Sequence, residues 1–361
     1  MPLKILYDHQ IFTIQKIGGI SRYFYEIMNN LPSNISFQCS GIFSNNIYIR
    51  DIKKNRANPL LPNYDFKGKS TLMNLPNTLS SLASLRKGEY DIFHPTYYNP
   101  YFLKKNKKPF VLTIHDMVHE KFPSIMAKED KTSFNKKLLV YKAKHIIAVS
   151  ENTKIDILKA YDKLSPDKVS VVYHANSLVN PGRQIDSGFK NYILFTGGRG
   201  GYKNFNTFIH AAAPLALKYN ISIVCTGMPF SPKELILFGQ LHIAGKVFHK
   251  FASEEELFFL YKNAIAFIFP SLYEGFGIPI LEAFCAECPV ALSNTSCFPE
   301  IAGDCAFYFD PLSIEDMRSV IEKLIINPSL RSNFTSKGTE RLKLFNWKKS
   351  SEETAIIYSS I

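Results

Sequence analysis

Twelve short apolar runs recur along the chain, none with strict polar alternation, and segments of helical period lie between them. In the first half the runs are KILYD, ISFQCSGIF, DIFHP, PFVLTIHD, HIIAVS and VSVVYHA; in the second they are YILFTGG, ISIVCTG, KVFHKF, AIAFIFP, PVALSN and AFYFD. A strand with no polar face must be covered on both sides, which is the condition of a parallel sheet with helices packed on each face. The intervening segments carry helical spacing. In NFNTFIHAAAPLALKY the apolar residues Phe205, Phe208, Ile209, Ala212, Leu215, Ala216 and Tyr219 recur every three or four positions, with Pro214 expected to kink the helix. The fold class that follows is α/β, built from doubly wound βαβ units.

A chain of 361 residues is too long for one core and suits two domains. The alternation pauses at NSLVNPGRQIDSGFKN, residues 176–191, where Pro, Gly, Asn and Ser cluster. The expected layout is therefore a Rossmann-like domain over 1–180, a second over 191–343, and a closing segment, 344–361. WKKSSEETAIIYSSI in that segment reads as a helix with Ser350 or Ser351 near its start. Residues 44–88 fit least well. They are polar and basic, hold Pro59, Pro62 and Pro76, and read as a loop or a mobile surface helix.

Charge changes at the same place. Residues 1–180 hold 26 Lys/Arg against 14 Asp/Glu, and residues 181–361 hold 17 against 17, so the whole net charge of +12 lies in the first half. A basic half attracts polyanions, whether nucleic acid, anionic lipid or a phosphorylated substrate, unless it is simply a solvated surface. Residues 1–10 read as a strand and not as a secretory leader, and no apolar run is long enough to span a bilayer. With six cysteines in no disulfide-like framework, a reduced, cytoplasmic compartment is expected. Cys285 and Cys288 have ligand-like spacing, but Cys297 and Cys305 form no second close pair. The first two also end an apolar helix, so core packing explains them better than zinc.

Ligands of open α/β sheets bind beyond the carboxyl ends of the strands. After YILFTGG come Arg199 and Lys203 on a glycine-rich turn that opens a helix, a combination suited to a diphosphate. After KILYD come Gly18 and Gly19, again before a helix. His115 and Asp116 end PFVLTIHD, and a histidine there could exchange a proton near neutral pH. His94 ends DIFHP in the same way and carries a weaker case. After AIAFIFP the chain reads PSLYEGFGIPILEA, with Glu274 on a turn beside Gly275, Phe276 and Gly277, and Glu282 about two helical turns further on. Ionised carboxylates are strong acceptors for diol hydroxyls, and a glycine turn at a helix start leaves N–H groups for an anion or a sugar oxygen. Each feature alone has a bland reading as a cap, a tight turn or a surface charge. No G-x-G-x-x-G fingerprint and no G-x-x-x-x-G-K-[ST] loop follows any strand.

Taken in order, the motifs resemble the retaining GT-B glycosyltransferases, in particular the bacterial hexosyl- and mannosyltransferases of O-antigens, capsules and exopolysaccharides. SLYEGFGIPILEA is similar to that family's signature of two glutamates with seven residues between them. YDHQIF…GGISRYFYEI resembles its N-terminal glycine loop, and TIHDMVHEKFP and IIAVSENTK its middle segments. TGGRGGYKN resembles its donor-phosphate motif, SCFPEIAGDCAFYFDP its C-terminal block, and FNWKKSSEETAIIY its closing helix. The resemblance spans roughly 350 residues. CAEC stands where relatives often carry glycine before PV, so that turn departs from the pattern.

The resemblance implies two Rossmann-like domains facing across a cleft, with the last helix returning to the first domain. It implies that Arg199 and Lys203 hold a nucleotide diphosphate and that Glu282 binds ribose hydroxyls. Glu274 with Gly275, Phe276 and Gly277 would contact the transferred sugar, His115 would lie beside that sugar, and Gly18 and Gly19 would close on the donor; Glu300 matches a position of less defined role. It further implies catalysis without metal or cofactor, a GDP- or UDP-linked donor with GDP-mannose first, and a lipid-linked glycan acceptor bound by the first domain. No nucleic-acid partner is implied. Lys53, Lys54, Arg56, Lys67, Lys69, Arg86 and Lys87, or Lys104, Lys105, Lys107 and Lys108, would then meet anionic headgroups at the inner membrane face. The rival readings are a nucleotide-sugar epimerase, a phosphorylase, a nicotinamide dehydrogenase, against which the missing fingerprint counts, and a basic nucleic-acid-binding protein, for which no motif accompanies the charge.

Overall fold

The computed structural model describes residues 2–52, 57–62, 64 and 66–361. The chain forms two compact units: residues up to His174 together with Asn346–Ile361, and Ala175–Phe345. The polar stretch 176–191 thus belongs to the second unit.

All twelve apolar runs form strands, and every pairing is parallel. In the first unit these are β1 (Leu3–Tyr7), β2 (Ile35–Cys39), β3 (Ile92–His94), β4 (Val111–Ile114), β5 (His145–Ala148) and β6 (Val169–Val171). They form two three-stranded sheets, β2-β1-β3 and β4-β5-β6, joined by one isolated parallel bridge between Phe93 and Phe110. In the second unit β7 (Tyr192–Phe195), β8 (Ser222–Thr226), β9 (Val247–Lys250), β10 (Ala266–Phe269), β11 (Val290–Ser293) and β12 (Phe307–Phe309) make one sheet in the order β12-β11-β10-β7-β8-β9. Every residue of β4, β7, β10 and β11 is buried, as strands without a polar face require.

Both orders reverse direction once, and ligands bind at such switch points. In the second sheet the reversal lies between β7 and β10; in the first it lies between β1 and β3. The loops that leave these four strands therefore define where chemistry can be placed.

The helix Trp347–Ser359 completes the first unit. Its N-cap is Asn346, whose side chain accepts from the Lys349 N–H at 2.8 Å. Ser350 and Ser351 lie in the first turns of the helix and donate to the carbonyls of Tyr173 and Ile27. Near the end of this helix the Tyr358 hydroxyl is hydrogen-bonded to the Tyr7 hydroxyl (2.8 Å) and to His94 Nδ1 (2.6 Å), while His94 Nε2 meets Thr113 Oγ1 at 3.0 Å. His94 is thus a buried tie between the sheet and the last helix. No helix among the described residues is long and apolar enough to cross a membrane.

Within 44–88 the helix Lys69–Lys87 occupies the last nineteen positions up to Lys87. Lys69 is not a surface cation: it is buried, and its Nζ donates to the carbonyls of Leu61 (2.8 Å) and Tyr64 (2.6 Å). Lys53, Lys54 and Arg56 lie outside the described residues. Lys104, Lys105 and Lys107 are exposed, whereas Lys108 is tied to the Tyr90 carbonyl.

Candidate active site

The second unit brings Lys203 and Glu274 together. β7 and β10 are hydrogen-bonded neighbours, so the turns after them leave the sheet side by side. The turn after β7 runs through Gly197 and Gly198 to a short 3₁₀ turn, Gly201–Lys203, and then into the helix Phe205–Lys218. Asn204 joins the two with φ 57°, a left-handed conformation that asparagine tolerates. The turn after β10 enters the helix Ile278–Cys285 through Gly277. The Leu272 N–H donates to the Tyr202 carbonyl at 2.7 Å and fastens one turn to the other. Across that contact Lys203 Nζ lies 2.7 Å from Glu274 Oε1.

The backbone of Glu274 is fixed from both sides. Its N–H donates to Ser296 Oγ, and the Ser296 hydroxyl donates back to its carbonyl at 2.6 Å. Gly277 has φ +93°, and a β-carbon there would lie 3.0 Å from Ile280 Cδ1 and 3.3 Å from the Phe298 ring. Gly277→Ala is therefore expected to cost about 1–3 kcal/mol of stability, read as a lowered denaturant midpoint. Phe276 is buried, its ring 5.8 Å from that of Phe345. Glu282, one turn into the helix, accepts from the Tyr261 hydroxyl at 3.0 Å, and Tyr261 is hydrogen-bonded in turn to Thr196 at the end of β7 (3.1 Å). Burial and the Glu282 carboxylate hold the Tyr261 phenol well above its ordinary pKa, so it remains a donor.

Arg199 has other partners. Its Nε donates to Glu234 Oε1 at 2.6 Å, and one terminal nitrogen donates to the carbonyls of Met228 (2.6 Å) and Pro229 (2.7 Å). The guanidinium also lies over the rings of Phe230 and Phe205. Burial raises the Glu234 carboxyl, but hydrogen bonds from Arg199 and Ser231 outweigh it and hold the group below the ordinary carboxylate range. Glu234 also completes a capping box with Ser231 on the helix Pro232–Gln240. Arg199 thus closes the loop after β8 and bonds Glu234, and its other terminal nitrogen, Nη1, is buried with no hydrogen-bond partner among the described residues. Glu300 lies in the first turn of Phe298–Ala302, its carbonyl receiving Arg341 at 2.6 Å.

The first unit presents a second group of polar side chains at its own switch point. Asp8, after β1, is fully buried and accepts from the N–H and side-chain amide of Gln10, the N–H and hydroxyl of Thr96, and the Tyr101 hydroxyl at 3.0 Å. Those bonds lock the loop after β3 to the loop after β1. Gln10 and Asn99 exchange a further reciprocal pair. The result is a cavity of about 310 Å³ whose walls include His9, Asn74, Tyr97, Tyr98, Asn99 and Tyr101. His9 is held by Ser81 (2.8 Å) and Asn74 (3.2 Å), and the rings of Tyr97 and Tyr98 lie tilted against each other with centres 4.6 Å apart. Aromatic faces with amide and hydroxyl groups are the lining that a sugar ring requires.

His115 follows β4. Its backbone N–H donates to the Tyr98 hydroxyl at 3.0 Å, which ties it to the cavity wall. Its ring stacks on His174 (5.7 Å, 6°) and meets Tyr23 edge-on at 5.0 Å, and neither ring nitrogen has a hydrogen-bond partner among the described residues. Burial, aided by His174, His94 and Lys136, holds its pKa well below 6.5, which favours the neutral imidazole at physiological pH. The fully buried Lys136 donates to the Asp116 carbonyl (2.9 Å) and to Glu120 (2.8 Å), which fixes the segment after His115. Gly19 opens the helix Gly19–Asn29. Gly18 is extended (φ 174°), so glycine is favoured there by space and not by handedness: a β-carbon would strike the Gln15 side chain at 2.4 Å.

Tyr261, Ser296, Asp8 and the loop TYYNPY, 96–101, were not singled out by the sequence. The one signal for the last was a cluster of tyrosine and asparagine directly after a strand. Among the described residues no three His, Cys, Asp or Glu side chains converge as a metal site.

Two family models match the chain: "Glycosyltransferase Family 4" over residues 17–175 and "Glycosyl transferases group 1" over residues 184–341. The O-antigen chain mannosyltransferase RfbU of Salmonella typhimurium is 31% identical over 228 residues, which are 62% of this chain and 63% of that protein, so the match spans less than two thirds of that relative's length. O-antigen chain mannosyltransferase B of Escherichia coli is 26% identical over 295 residues, 76% of each chain. Among solved structures, Anabaena Alr3699/HepE in complex with UDP-glucose superposes with a TM-score of 0.74 at 15% identity, covering 99% of this chain and all of the other, a likeness of fold. With one family model on each half and both sheets wound as Rossmann-like domains, the chain belongs to the GT-B glycosyltransferases.

Proposed function

We propose that the protein is a retaining hexosyltransferase that moves mannose, or a related hexose, from a GDP- or UDP-linked donor to a glycan acceptor carried on lipid, in the assembly of a surface polysaccharide. The observation that carries this reading is the Lys203–Glu274 pair, built at the switch point of the second sheet by two turns that each open a helix. Relatives named as O-antigen mannosyltransferases, and a neighbour bound to UDP-glucose, support the choice of donor and acceptor class.

In this reading Lys203 takes charge from the departing diphosphate. An ammonium has three donors, so Nζ can serve Glu274 and a phosphate oxygen together. The N-terminal amides of the helix Ile278–Cys285 add the dipole that favours an anion. Together they supply the neutralisation that a divalent cation gives in other transferases, so neither metal nor cofactor is required. Glu274 and the backbone of Gly275, Phe276 and Gly277 hold the transferred sugar, and Glu282, oriented by Tyr261, takes the ribose diol. Arg199 acts as a positioning residue that sets the loop after β8. In the first unit the cavity beside Asp8 takes the acceptor sugar, Gly18 and Gly19 form the glycine loop, and His115, as a neutral imidazole, hydrogen-bonds a hydroxyl without moving a full charge.

Retention follows if the acceptor oxygen attacks on the face from which the nucleotide leaves. The bond from the anomeric carbon to the phosphate oxygen breaks, the new bond to the acceptor oxygen forms, and the acceptor's proton passes to the leaving phosphate. The enzyme would work at the inner face of the cytoplasmic membrane, where lipid-linked acceptors are assembled.

The test has two stages. Thermal-shift screening of the full chain against GDP-mannose, UDP-glucose and related nucleotide sugars is expected to single out one donor, because a ligand bound only by the folded state raises its stability. NMR of the product made with that donor and an acceptor glycan is expected to show the donor's anomeric configuration. Stabilisation by none of the donors, or an inverted linkage, would sink the proposal. Conversion of the donor alone to a different nucleotide sugar would point to the epimerase instead.

A further inference from the structure

The helix Lys69–Lys87 is inside out. Its buried residues are Lys69, Met73, Asn77, Ser81 and Leu85, one every fourth position, and three of the five are polar. Asn77 receives the N–H groups of Ile42 and Phe43 and donates to Thr13 and the Phe43 carbonyl; Ser81 bonds to His9 and Ser40. The inner face is therefore held by hydrogen bonds. Three of its leucines point the other way. Leu72, Leu75 and Leu79 are 57%, 68% and 59% exposed. At roughly 100° per residue these three, with the half-buried Leu82, fall on the face opposite the buried stripe. Phe66 and Ile14, both exposed, flank the first turn.

Water is a poor solvent for such a face, and the charge around it says what covers it. Lys67 stands just before the helix and Arg86 and Lys87 end it, all exposed. No Asp or Glu occurs between Asp65 and Glu89. A leucine stripe with cations at both ends and no carboxylate suits a layer that is apolar inside and anionic at its surface. The stripe is one leucine wide and convex, which offers a second protein little to enclose. It also stands on a helix that is not apolar enough to cross a bilayer, so it would lie in the plane.

We propose that the helix Lys69–Lys87 docks the protein on anionic phospholipid, with Leu72, Leu75 and Leu79 inserted among the acyl chains and Lys67, Arg86 and Lys87 on the headgroups. The proposal rests on the reading of the acceptor as lipid-linked and gives that reading a place on the molecule.

The test is cosedimentation of the full chain with vesicles of phosphatidylethanolamine and phosphatidylglycerol, and with vesicles of phosphatidylcholine alone. The wild-type chain is expected to partition onto the anionic vesicles, more weakly at high salt. Leu72→Ser, Leu75→Ser and Leu79→Ser combined should weaken that partition about tenfold or more, with an unchanged melting temperature and unchanged transfer to a water-soluble acceptor. Leu75→Trp should show a blue-shifted emission component on adding anionic vesicles. Equal partition of triple variant and wild type, or none by the wild type, overturns the proposal. So does concentration-dependent self-association that the triple variant abolishes, which would assign the face to a second copy. Because transfer to a soluble acceptor is measured separately, loss of the docking proposal and loss of the transferase reading give different results.

Discussion

Lys203→Ala is expected to lower turnover about 100- to 1,000-fold, the loss seen when one preorganised group that meets developing charge is removed, beyond the stability that the loss of its bond to Glu274 costs. The Lys203 ammonium is three-quarters buried beside the Glu274 carboxylate, and it stands at the switch point between two helix starts. A diphosphate arriving there meets a charge whose position is already fixed, so little reorganisation remains for the moment of bond breaking. Arg199→Ala should behave in the opposite manner. Its removal leaves Glu234 and two carbonyls without their donor, at a cost of about 1–3 kcal/mol, while the rate falls far less than for Lys203→Ala. Single-turnover rates with the donor found by thermal shift, set beside urea midpoints of both variants, separate the two roles. Near-normal turnover of Lys203→Ala would remove it from the diphosphate site. A rate loss in Arg199→Ala equal to that of Lys203→Ala, at unchanged stability, would return the diphosphate to Arg199.

Acid should unfold the first unit well before simple carboxylate titration would. His94, His115 and His174 are buried there, and burial holds His94 and His174 to about 3 and His115 well below 6.5. His9 is lowered too, burial outweighing the nearby Asp8. Each of these histidines takes up a proton in the unfolded chain near pH 6.5 and not in the folded one. The unfolded state therefore binds more protons below pH 6.5, and stability falls with falling pH from there until the folded values are reached. The slope is about 1.4 kcal/mol per pH unit for each such histidine, so three give about 4 kcal/mol per unit, a large share of the stability of an ordinary domain. The chain's single tryptophan, Trp347, reports on this unit directly, 5.9 Å from His174. Its fluorescence midpoint in urea should drop steeply between pH 7 and pH 5, and His115→Gln should make that slope shallower by about one proton. A flat midpoint across this range would show that the buried histidines are not held neutral.

The sequence was informative wherever chemistry follows period and punctuation. Runs without a polar face became parallel strands because nothing else buries both sides, and glycine at 277 meant a left-handed turn before a helix. In CAEC, Glu287 adopts φ 55°, a left-handed conformation that is uncommon for a residue with a side chain. What was hidden depends on partners far apart in the chain. The bond of Arg199 to Glu234, thirty-five positions on, has no signal in the sequence around either residue. Lys69 reads as a surface charge until two carbonyls are found to cap it. The helix Lys69–Lys87 could not be assigned by period, since its core-facing stripe includes Lys69, Asn77 and Ser81 while Leu72, Leu75 and Leu79 face outward. His94 and His115 are the same residue type at equivalent strand ends, and only Tyr358, at the far end of the chain, separates a structural tie from a site group.

The return of Trp347–Ser359 to the first unit has a consequence for biosynthesis. The whole of Ala175–Phe345 is translated between the two parts of that unit, so Tyr7 and His94 leave the ribosome long before the hydroxyl that closes over them. The continuous second unit can reach its native state while its neighbour still waits for a missing wall, and during that interval the nascent N-terminal sheet depends on chaperones or on transient cover.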